Sequence, residues 1–350
     1  MNINTYKCVD VGSENCPCEL AVTGDCLTCS RLQGRDRCDC DWKGVCILNE
    51  FLFNGRKANN KRKEKECAVL SKYHISGDFI VLEIGVQKGF AIRCMRPAAY
   101  LFLRSPKCDH HYDVPVSVLD VSLTRPSVTV GIRILSAKTK ALDEAEKNVL
   151  VRGPYRGGMI GRKFRNRNGR ILILCSGAGV CPGIFACNLL SASSEVTLVA
   201  RDAPFEKEMV RRFFRPQEFS RTGRTGEAKS LKYARGGNIV FRDFESAEEM
   251  EKIRRSARME RPDHIVILGS REFISAMYRS MSEFRPSADF VTSNDVSLCC
   301  GEGVCGACEI TTAGGKRIRM CKCSESVDPE ELFGEKAENT DVRTEQYSRP

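Results

Sequence analysis

Histidine and tryptophan are scarce in this 350-residue chain, with four and one respectively, and aromatic residues make up only 7%. No histidine precedes His74, so we expect any metal near the start of the chain to be held by thiolates. The first residues also lack a basic segment followed by an apolar one, which argues against a secretory signal. We therefore expect a cytoplasmic chain whose cysteines are reduced.

A membrane span is not predicted either. Residues 171–194 carry no charge over 24 positions, which is long enough to cross a bilayer. Glycines and Pro182 interrupt the middle of this stretch, however, and a serine cluster ends it. A buried strand, a glycine turn and a helix explain the pattern better.

The formal net charge is +10, and basic residues concentrate in two runs, 56–65 and 211–235. A basic surface can bind nucleic acid or an acidic protein. We interpret both runs as solvated linker or loop, and we predict no nucleic-acid partner.

What the chain has in abundance is cysteine, with 20 residues. Cys300, Cys305 and Cys308 follow the spacing C-x4-C-x2-C, and Cys321 comes after a further twelve residues. This is the spacing of plant-type ferredoxins, so these four residues are predicted ligands of a 2Fe–2S cluster. The glycines at 301, 303 and 306 would give the loop the unusual φ values that it needs. A zinc knuckle is the alternative, and Cys299 and Cys323 are interpreted as non-ligand thiols.

A second group of cysteines lies near the start of the chain, with eight in the first 46 residues. Paired cysteines on turns can converge on one or two metal sites, either zinc or 4Fe–4S. A segment with so little apolar material would gain much of its folding energy from the metal. Disulfide or redox thiols are the alternative. After Cys8, the candidate ligands are Cys16, Cys18, Cys26, Cys29, Cys38, Cys40 and Cys46.

Between these groups the pattern of apolar residues changes once. Short β-type runs between residues 72 and 134 predict a small antiparallel barrel, and strands alternating with helices after Gly169 predict a doubly wound α/β domain. We predict a multi-domain chain with six parts. They are a cysteine-rich segment (1–53), a linker (54–66), a flavin-binding barrel (67–165), a nucleotide-binding α/β domain (166–285), a 2Fe–2S module (286–323) and a mobile tail (324–350).

The first strand of the α/β domain leads into the sequence Ser176-Gly-Ala-Gly-Val-Cys-Pro-Gly. Gly177 and Gly179 permit a tight turn, and Pro182 suits the first turn of a helix. The pattern predicts that a dinucleotide phosphate binds at the N-terminus of this helix. Arg201 and Asp202 end the next strand, and this pair leaves NAD and NADP open.

In this order, a barrel, a nucleotide domain and a plant-type cluster loop resemble the electron-transfer subunit of dihydroorotate dehydrogenase, within the ferredoxin–NAD(P)⁺ reductase superfamily. The small subunits of bifurcating transhydrogenases are similar. The cysteine-rich extension is additional to that family. The resemblance implies FAD in the barrel, with Ser117 near the flavin, Thr139 in a phosphate turn and Gly153 in the segment that closes the flavin domain. The family's arginine is Val114 here, and Leu268 replaces a cysteine near the nicotinamide.

The resemblance implies an NAD(P)H-linked iron–sulfur flavoprotein that exchanges electrons with a partner oxidoreductase subunit or ferredoxin. No acid, base or nucleophile constellation for substrate chemistry is visible. Two alternatives stay open: a relay or scaffold subunit that has lost flavin or nucleotide binding, and a zinc-stabilised nucleic-acid-binding regulator.

Overall fold

A computed structural model describes residues 7–59, 61–97, 99–161, 169–215, 238–312 and 315–334. The second basic run therefore lies largely outside the described residues, as does most of the predicted tail. Within the described part, no helix is both long enough and apolar enough to cross a bilayer.

The first large unit is a closed antiparallel barrel. Its strands are β1 (Lys65–Ser76), β2 (Phe79–Gly85), β3 (Tyr100–Arg104), β4 (Val114–Ser122), β5 (Ser127–Arg133) and β6 (Asn148–Tyr155), paired in the order β1-β2-β5-β4-β3-β6. Alternate side chains such as Ile80, Leu82 and Val130 fill the interior, as the period-two pattern requires. Two short helices, Lys88–Cys94 and Ala137–Asp143, lie in the connections. The predicted barrel is confirmed.

The second unit is a six-stranded sheet with helices on both faces. Its strands are β7 (Met159–Ile160), β8 (Arg170–Cys175), β9 (Glu195–Arg201), β10 (Asn238–Arg242), β11 (His264–Leu268) and β12 (Asp289–Ser293), in the order β10-β9-β8-β11-β12-β7. Only β7 runs antiparallel to its neighbour. We number the helices of this sheet α1 (Val180–Leu190), α2 (Pro204–Phe213), α3 (Ala247–Glu260) and α4 (Arg271–Ser280).

Helices α1 and α2 share one hydrophobic core with the sheet, and α3 and α4 share another. The doubly wound α/β domain is therefore confirmed. Because α1 is apolar all round, it can also pack against β4 of the barrel and join the two units.

The two cysteine-rich parts are small. The first contains the helices Glu19–Val22 and Ile47–Phe53. The second contains a hairpin of β13 (Glu309–Thr311) and β14 (Arg317–Arg319), followed by the short helices Met320–Cys323 and Glu330–Phe333. Phe333 is buried in the core that α4 shares, so the beginning of the predicted tail packs on the α/β domain.

Some elements differ from the sequence prediction. Strand β1 begins at Lys65, inside the predicted linker, and β12 joins the large sheet although the predicted cluster module began at residue 286. Strand β6 and helix α2 were not predicted at all. β1 is half-exposed along its length and therefore lacks the apolar run by which a strand is recognised.

Candidate functional site

The loop between β12 and β13 carries the predicted cluster ligands. Gly301, Gly303 and Gly306 have φ values of 73°, 77° and 74°, a region that other residues rarely adopt. The predicted backbone conformation is therefore present. At Gly301 there is also no room for a side chain, because a Cβ there would lie 2.5 Å from Cε1 of Tyr155.

The four cysteine sulfurs of the loop meet in one place. The thiol of Cys321 interacts with those of both Cys300 and Cys308, and Cys300 also interacts with Cys305. Interaction with the Cys321 thiol lowers the pKa of Cys300 to about 4 and that of Cys308 to about 7, while it raises the pKa of Cys321 itself. Cys300 and Cys308 therefore lose their protons more readily, to the thiolate form that binds metal, whereas burial raises the pKa of Cys305.

Backbone N–H groups point at these sulfurs. Cys300 Sγ accepts from the N–H of Glu302 at 3.3 Å and from that of Cys305 at 3.5 Å. Cys305 Sγ accepts from Ala307 N–H at 3.5 Å, and Cys308 Sγ accepts from Cys321 N–H at 3.4 Å. Hydrogen bonds to cluster sulfurs are one of the means by which proteins tune iron–sulfur centres.

The spacing of the sulfurs distinguishes one metal ion from two. Bonds of 2.3 Å around one tetrahedral zinc hold thiolates about 3.8 Å apart. Within the described ranges, no three cysteine sulfurs lie within 4.8 Å of one another. The donor set therefore fits a 2Fe–2S cluster, in which two irons share four thiolates, better than a single zinc.

Among the described residues, Glu64, His110 and Asp113 bring three potential metal ligands within 4.8 Å of one another. The guanidinium of Arg104 already occupies this position. It donates to Glu64 at 2.5 Å and to Asp113 at 3.0 Å, and it lies 3.3 Å from His110 Nδ1. We interpret the group as an ion-pair network rather than a metal site.

Tyr100 supplies a further polar group near the loop. Its ring is 2% exposed, and its hydroxyl has no hydrogen-bond partner among the described residues. Burial raises the pKa of this hydroxyl, and the charges of Cys321 and Cys308 are close enough to raise it further. A buried donor without an acceptor is costly, and the sulfur of a cluster would satisfy it.

A buried network of four charges joins the loop to the start of the chain. Lys322 Nζ donates to Asp10 at 2.5 Å and to Glu302 at 3.1 Å, and Arg62 binds the same two carboxylates at 2.6 and 2.8 Å. Burial raises the pKa of Asp10 and of Glu302, but Lys322 and Arg62 outweigh it, so both pKa values are lowered. Lys322 is fully buried, which is tolerated only because it is paired.

The predicted ligands near the start of the chain fall into two sets. Cys16, Cys18 and Cys26 line one small cavity, together with Cys8, which was not among the predicted ligands. Outside it, the sulfurs of Cys38 and Cys40 are 3.7 Å apart, and Cys46 is exposed. Cys29 is buried between the two sets, because its N–H donates to Cys26 Sγ at 3.4 Å and it also lies close to Cys40. The structure therefore does not bring all seven predicted ligands together.

The residues expected at a flavin have structural partners. Thr139 Oγ1 accepts from the N–H groups of Leu135 and Ser136 and donates to Ser136 O, and it completes the capping box of the helix Ala137–Asp143, whose N-cap is Ser136. Gly153 has a φ of 148°, and a Cβ there would lie 3.0 Å from Leu101. Ser117 lies on β4, opposite Tyr100 of β3. Thr139 and Gly153 are thus explained by the chain itself.

The expected nucleotide loop has the predicted shape. Gly177 has a φ of 56°, a short 3-10 helix spans Gly177–Gly179, and Pro182 lies in the first turn of α1. Sequence reasoning missed Glu206, whose buried carboxylate accepts the N–H of Gly177 at 2.8 Å. A carboxylate at this position repels a phosphate, so a dinucleotide diphosphate would bind at this loop only after Glu206 releases the N–H of Gly177. The only available signal was an acidic residue in the first turn of α2.

Comparisons with known proteins address the fold. No protein-family profile matches the chain, and no curated protein matches its sequence. Among solved structures, an NADH-dependent reduced ferredoxin–NADP oxidoreductase, described in a study of flavin-based electron bifurcation, matches 76% of this chain and 91% of its own. The TM-score is 0.53 and the sequence identity is 16%. A ferredoxin–NADP⁺ reductase from Neisseria gonorrhoeae with bound FAD and NADP matches 64% of this chain and 92% of its own, with a TM-score of 0.47 and 12% identity.

The chain has a ferredoxin reductase fold. Within this fold, an unbroken series of contacts leads from the barrel to the cluster loop. Ser117 pairs with Tyr100, whose ring stacks on that of Tyr155 with 5.1 Å between centroids, and Tyr155 packs on Gly301. Arg152 adds a hydrogen bond of 2.7 Å to the carbonyl of Cys300. The ferredoxin reductase fold thus places the expected flavin strand next to the expected cluster.

Proposed function

We propose that the chain is the electron-transfer subunit of an oxidoreductase complex, and that it passes electrons between NAD(P)H, FAD and a 2Fe–2S cluster on Cys300, Cys305, Cys308 and Cys321. The observation that carries the proposal is the convergence of these four sulfurs, with N–H groups directed at them, in a ferredoxin reductase fold. A bound flavin would supply the conversion between two-electron hydride transfer from NAD(P)H and single-electron transfer to the cluster.

The chain's own residues have distinct tasks in this proposal. Arg152 and Tyr155 hold the loop against the barrel, and Tyr100 would donate to a cluster sulfur. Ser117 would lie beside the flavin. The loop tip faces solvent, since Val304 is 54% exposed and Cys305 is exposed too. We therefore place the docking site of a partner oxidoreductase or ferredoxin at this tip.

A second function deserves equal testing, because specific observations favour it. Glu206 accepts the N–H of Gly177, Thr139 belongs to the capping box of a helix, and Val114 replaces the expected arginine. A chain that has lost the flavin and the nucleotide would still relay electrons through its cluster. In that case the barrel and the sheet would serve only as a scaffold.

Cofactor content tests both functions. The full chain is purified without oxygen, and iron, acid-labile sulfide, zinc and flavin are quantified in one sample. We expect at least two iron and two sulfide per chain with one FAD, and bleaching of the visible absorbance by NADH or NADPH. Iron and sulfide without flavin would support the relay subunit. A colourless zinc protein without sulfide would contradict both and favour the nucleic-acid-binding regulator.

Matched variants assign the ligands. Cys321→Ser should lose the absorbance of the C-terminal cluster, whereas Cys299→Ser, which removes an exposed thiol beside Cys300, should retain it. Equal losses in the two variants would contradict the ligand assignment.

A further inference from the structure

We propose that Cys8, Cys16, Cys18 and Cys26 bind an iron–sulfur centre of their own, and that this centre exchanges electrons with the C-terminal cluster. The four residues line a single cavity near the start of the chain. The binding of this second centre does not depend on the proposed function, but its electron exchange does. Apolar side chains provide much of the remaining lining, namely Val11, Pro17, Leu20, Ala21, Leu27 and Ile47.

Local turns explain how the cysteines reach one cavity. The N–H of Val11 bonds the carbonyl of Cys8 at 3.1 Å, and the N–H of Cys16 bonds that of Ser13 at 3.0 Å. These turns fold residues 8–16 back on themselves. Gly12, at a φ of 71°, leaves space that Trp42 fills, since a Cβ there would lie 2.8 Å from the indole. Cys18 then begins the helix Glu19–Val22.

The residues that line the cavity suit an iron–sulfur centre better than a single zinc ion. Asp10 is the only carboxylate in the lining, and Arg62 and Lys322 already neutralise it. No histidine lines the cavity. The sulfurs are too widely spaced for one tetrahedral zinc, because in the described part of the chain no three of them lie within 4.8 Å. Four thiolates around a larger centre in an apolar lining fit an iron–sulfur cluster.

This cavity lies directly against the C-terminal loop. The N–H of Val9 bonds the carbonyl of Lys322 at 2.7 Å, and a Cβ on Gly303 would lie 2.9 Å from Leu20. The side chain of Lys322 runs between Asp10 of the cavity and Glu302 of the loop. In each exchange, one electron leaves the reduced C-terminal cluster and enters the oxidised second centre, so the two centres change oxidation state by one electron in opposite directions.

Iron content of single variants tests the site in the full, anaerobically purified chain. The C-terminal cluster accounts for about two iron and two sulfide, so the wild type should hold roughly four to six of each. Cys16→Ser and Cys8→Ser should each lose the additional iron and keep about two. Cys321→Ser should show the reverse loss. Cys67→Ser, a thiol of β1, and Cys46→Ser, an exposed thiol outside the cavity, should match the wild type.

Electron paramagnetic resonance after reduction supplies a second measurement. The wild type should show two overlapping signals, and Cys16→Ser should show only the signal that Cys321→Ser has lost. A wild type with two iron, or one equivalent of zinc lost in Cys16→Ser, would overturn the proposal. Equal iron loss in Cys46→Ser would overturn the ligand assignment. A wild type that lacks flavin, or lacks only the C-terminal cluster, would contradict the proposed function. It would not contradict the second centre at Cys8, Cys16, Cys18 and Cys26.

Discussion

The loop around Cys300 and the expected nucleotide loop at Gly177 are both rich in glycine, but their backbone N–H groups have different partners. Around Cys300, backbone N–H groups point at sulfur, and the buried hydroxyl of Tyr100 lacks a partner in the described structure. At Gly177, the N–H that would receive a phosphate already bonds Glu206. A glycine-rich loop therefore indicates a backbone shape, and only the partners of its N–H groups indicate whether a ligand belongs there.

The largest effect is expected on stability, for a substitution of Lys322 beside the Cys300 loop. Lys322→Met leaves Asp10 and Glu302 with only Arg62 to neutralise them, so we expect the free energy of unfolding to fall by about 3–5 kcal/mol. Urea titration measures the change. Lys61→Met is the matched control, because Lys61 forms an exposed ion pair with Glu19 and should cost about 1 kcal/mol or less. Equal losses of unfolding free energy in the two variants would show that the buried ion-pair network of Lys322 does not stabilise the loop.

Substitution of two glycines in the same loop distinguishes the cost of backbone strain from the cost of a steric clash. Gly301→Ala and Gly306→Ala both place a side chain at a positive φ, which costs about 1–2 kcal/mol. Only Gly301→Ala also meets Tyr155, whereas the space beside Gly306 is open. We expect a larger drop in melting temperature and lower visible absorbance per chain for Gly301→Ala. Identical behaviour would contradict the packing of Tyr155 on the loop.

The nucleotide side is tested by Glu206→Gln. The amide can still accept the N–H of Gly177, but the negative charge is gone, so affinity for NADH or NADPH should rise by about tenfold, or 1.4 kcal/mol. Equilibrium titration followed by fluorescence measures the dissociation constant. Glu208→Gln on the same helix, whose carboxylate pairs with Arg211, should leave affinity unchanged. If Glu206→Gln binds no better, the carboxylate does not oppose the phosphate.

The smallest effect is expected at Tyr100. Tyr100→Phe removes the proposed donor to a cluster sulfur, which should lower the midpoint potential of the proposed C-terminal cluster by about 20–60 mV, since one hydrogen bond contributes about 0.5–1.5 kcal/mol. Stability should hardly change, because the hydroxyl has no protein partner in the described part of the chain. Redox titration of this variant beside Tyr73→Phe, a change elsewhere in the barrel, checks the effect. An unchanged potential would mean that the hydroxyl does not reach the cluster.

Local sequence patterns predicted much of the fold. Buried runs such as Arg170–Cys175 and His264–Leu268 became parallel strands, and the cluster loop took positive φ values where its glycines lie. These features depend on near neighbours in the sequence. β1 was missed because its polar and apolar residues do not alternate cleanly along a half-exposed strand.

What could not be predicted depends on distant partners. Asp10 and Lys322 are 312 positions apart, and Arg62 reaches Glu302 across 240. Glu206 meets Gly177 only because α2 packs beside the loop. Cys8 belongs with Cys16 because intervening turns reverse the chain, and its spacing alone did not distinguish it from Cys46. A local sequence pattern carries no information about contacts between residues that are so far apart in the chain.

The bond from Val9 to Lys322 has a consequence for biosynthesis. Residues 8–26 are synthesised roughly 300 residues before the surface around Lys322 that covers them, so this segment cannot finish folding during translation of the barrel. Its thiols would remain accessible to metal donors, or to oxygen, until the residues around Lys322 emerge from the ribosome. A nascent chain that stalls before Lys322 would therefore expose the cysteines that the finished protein encloses.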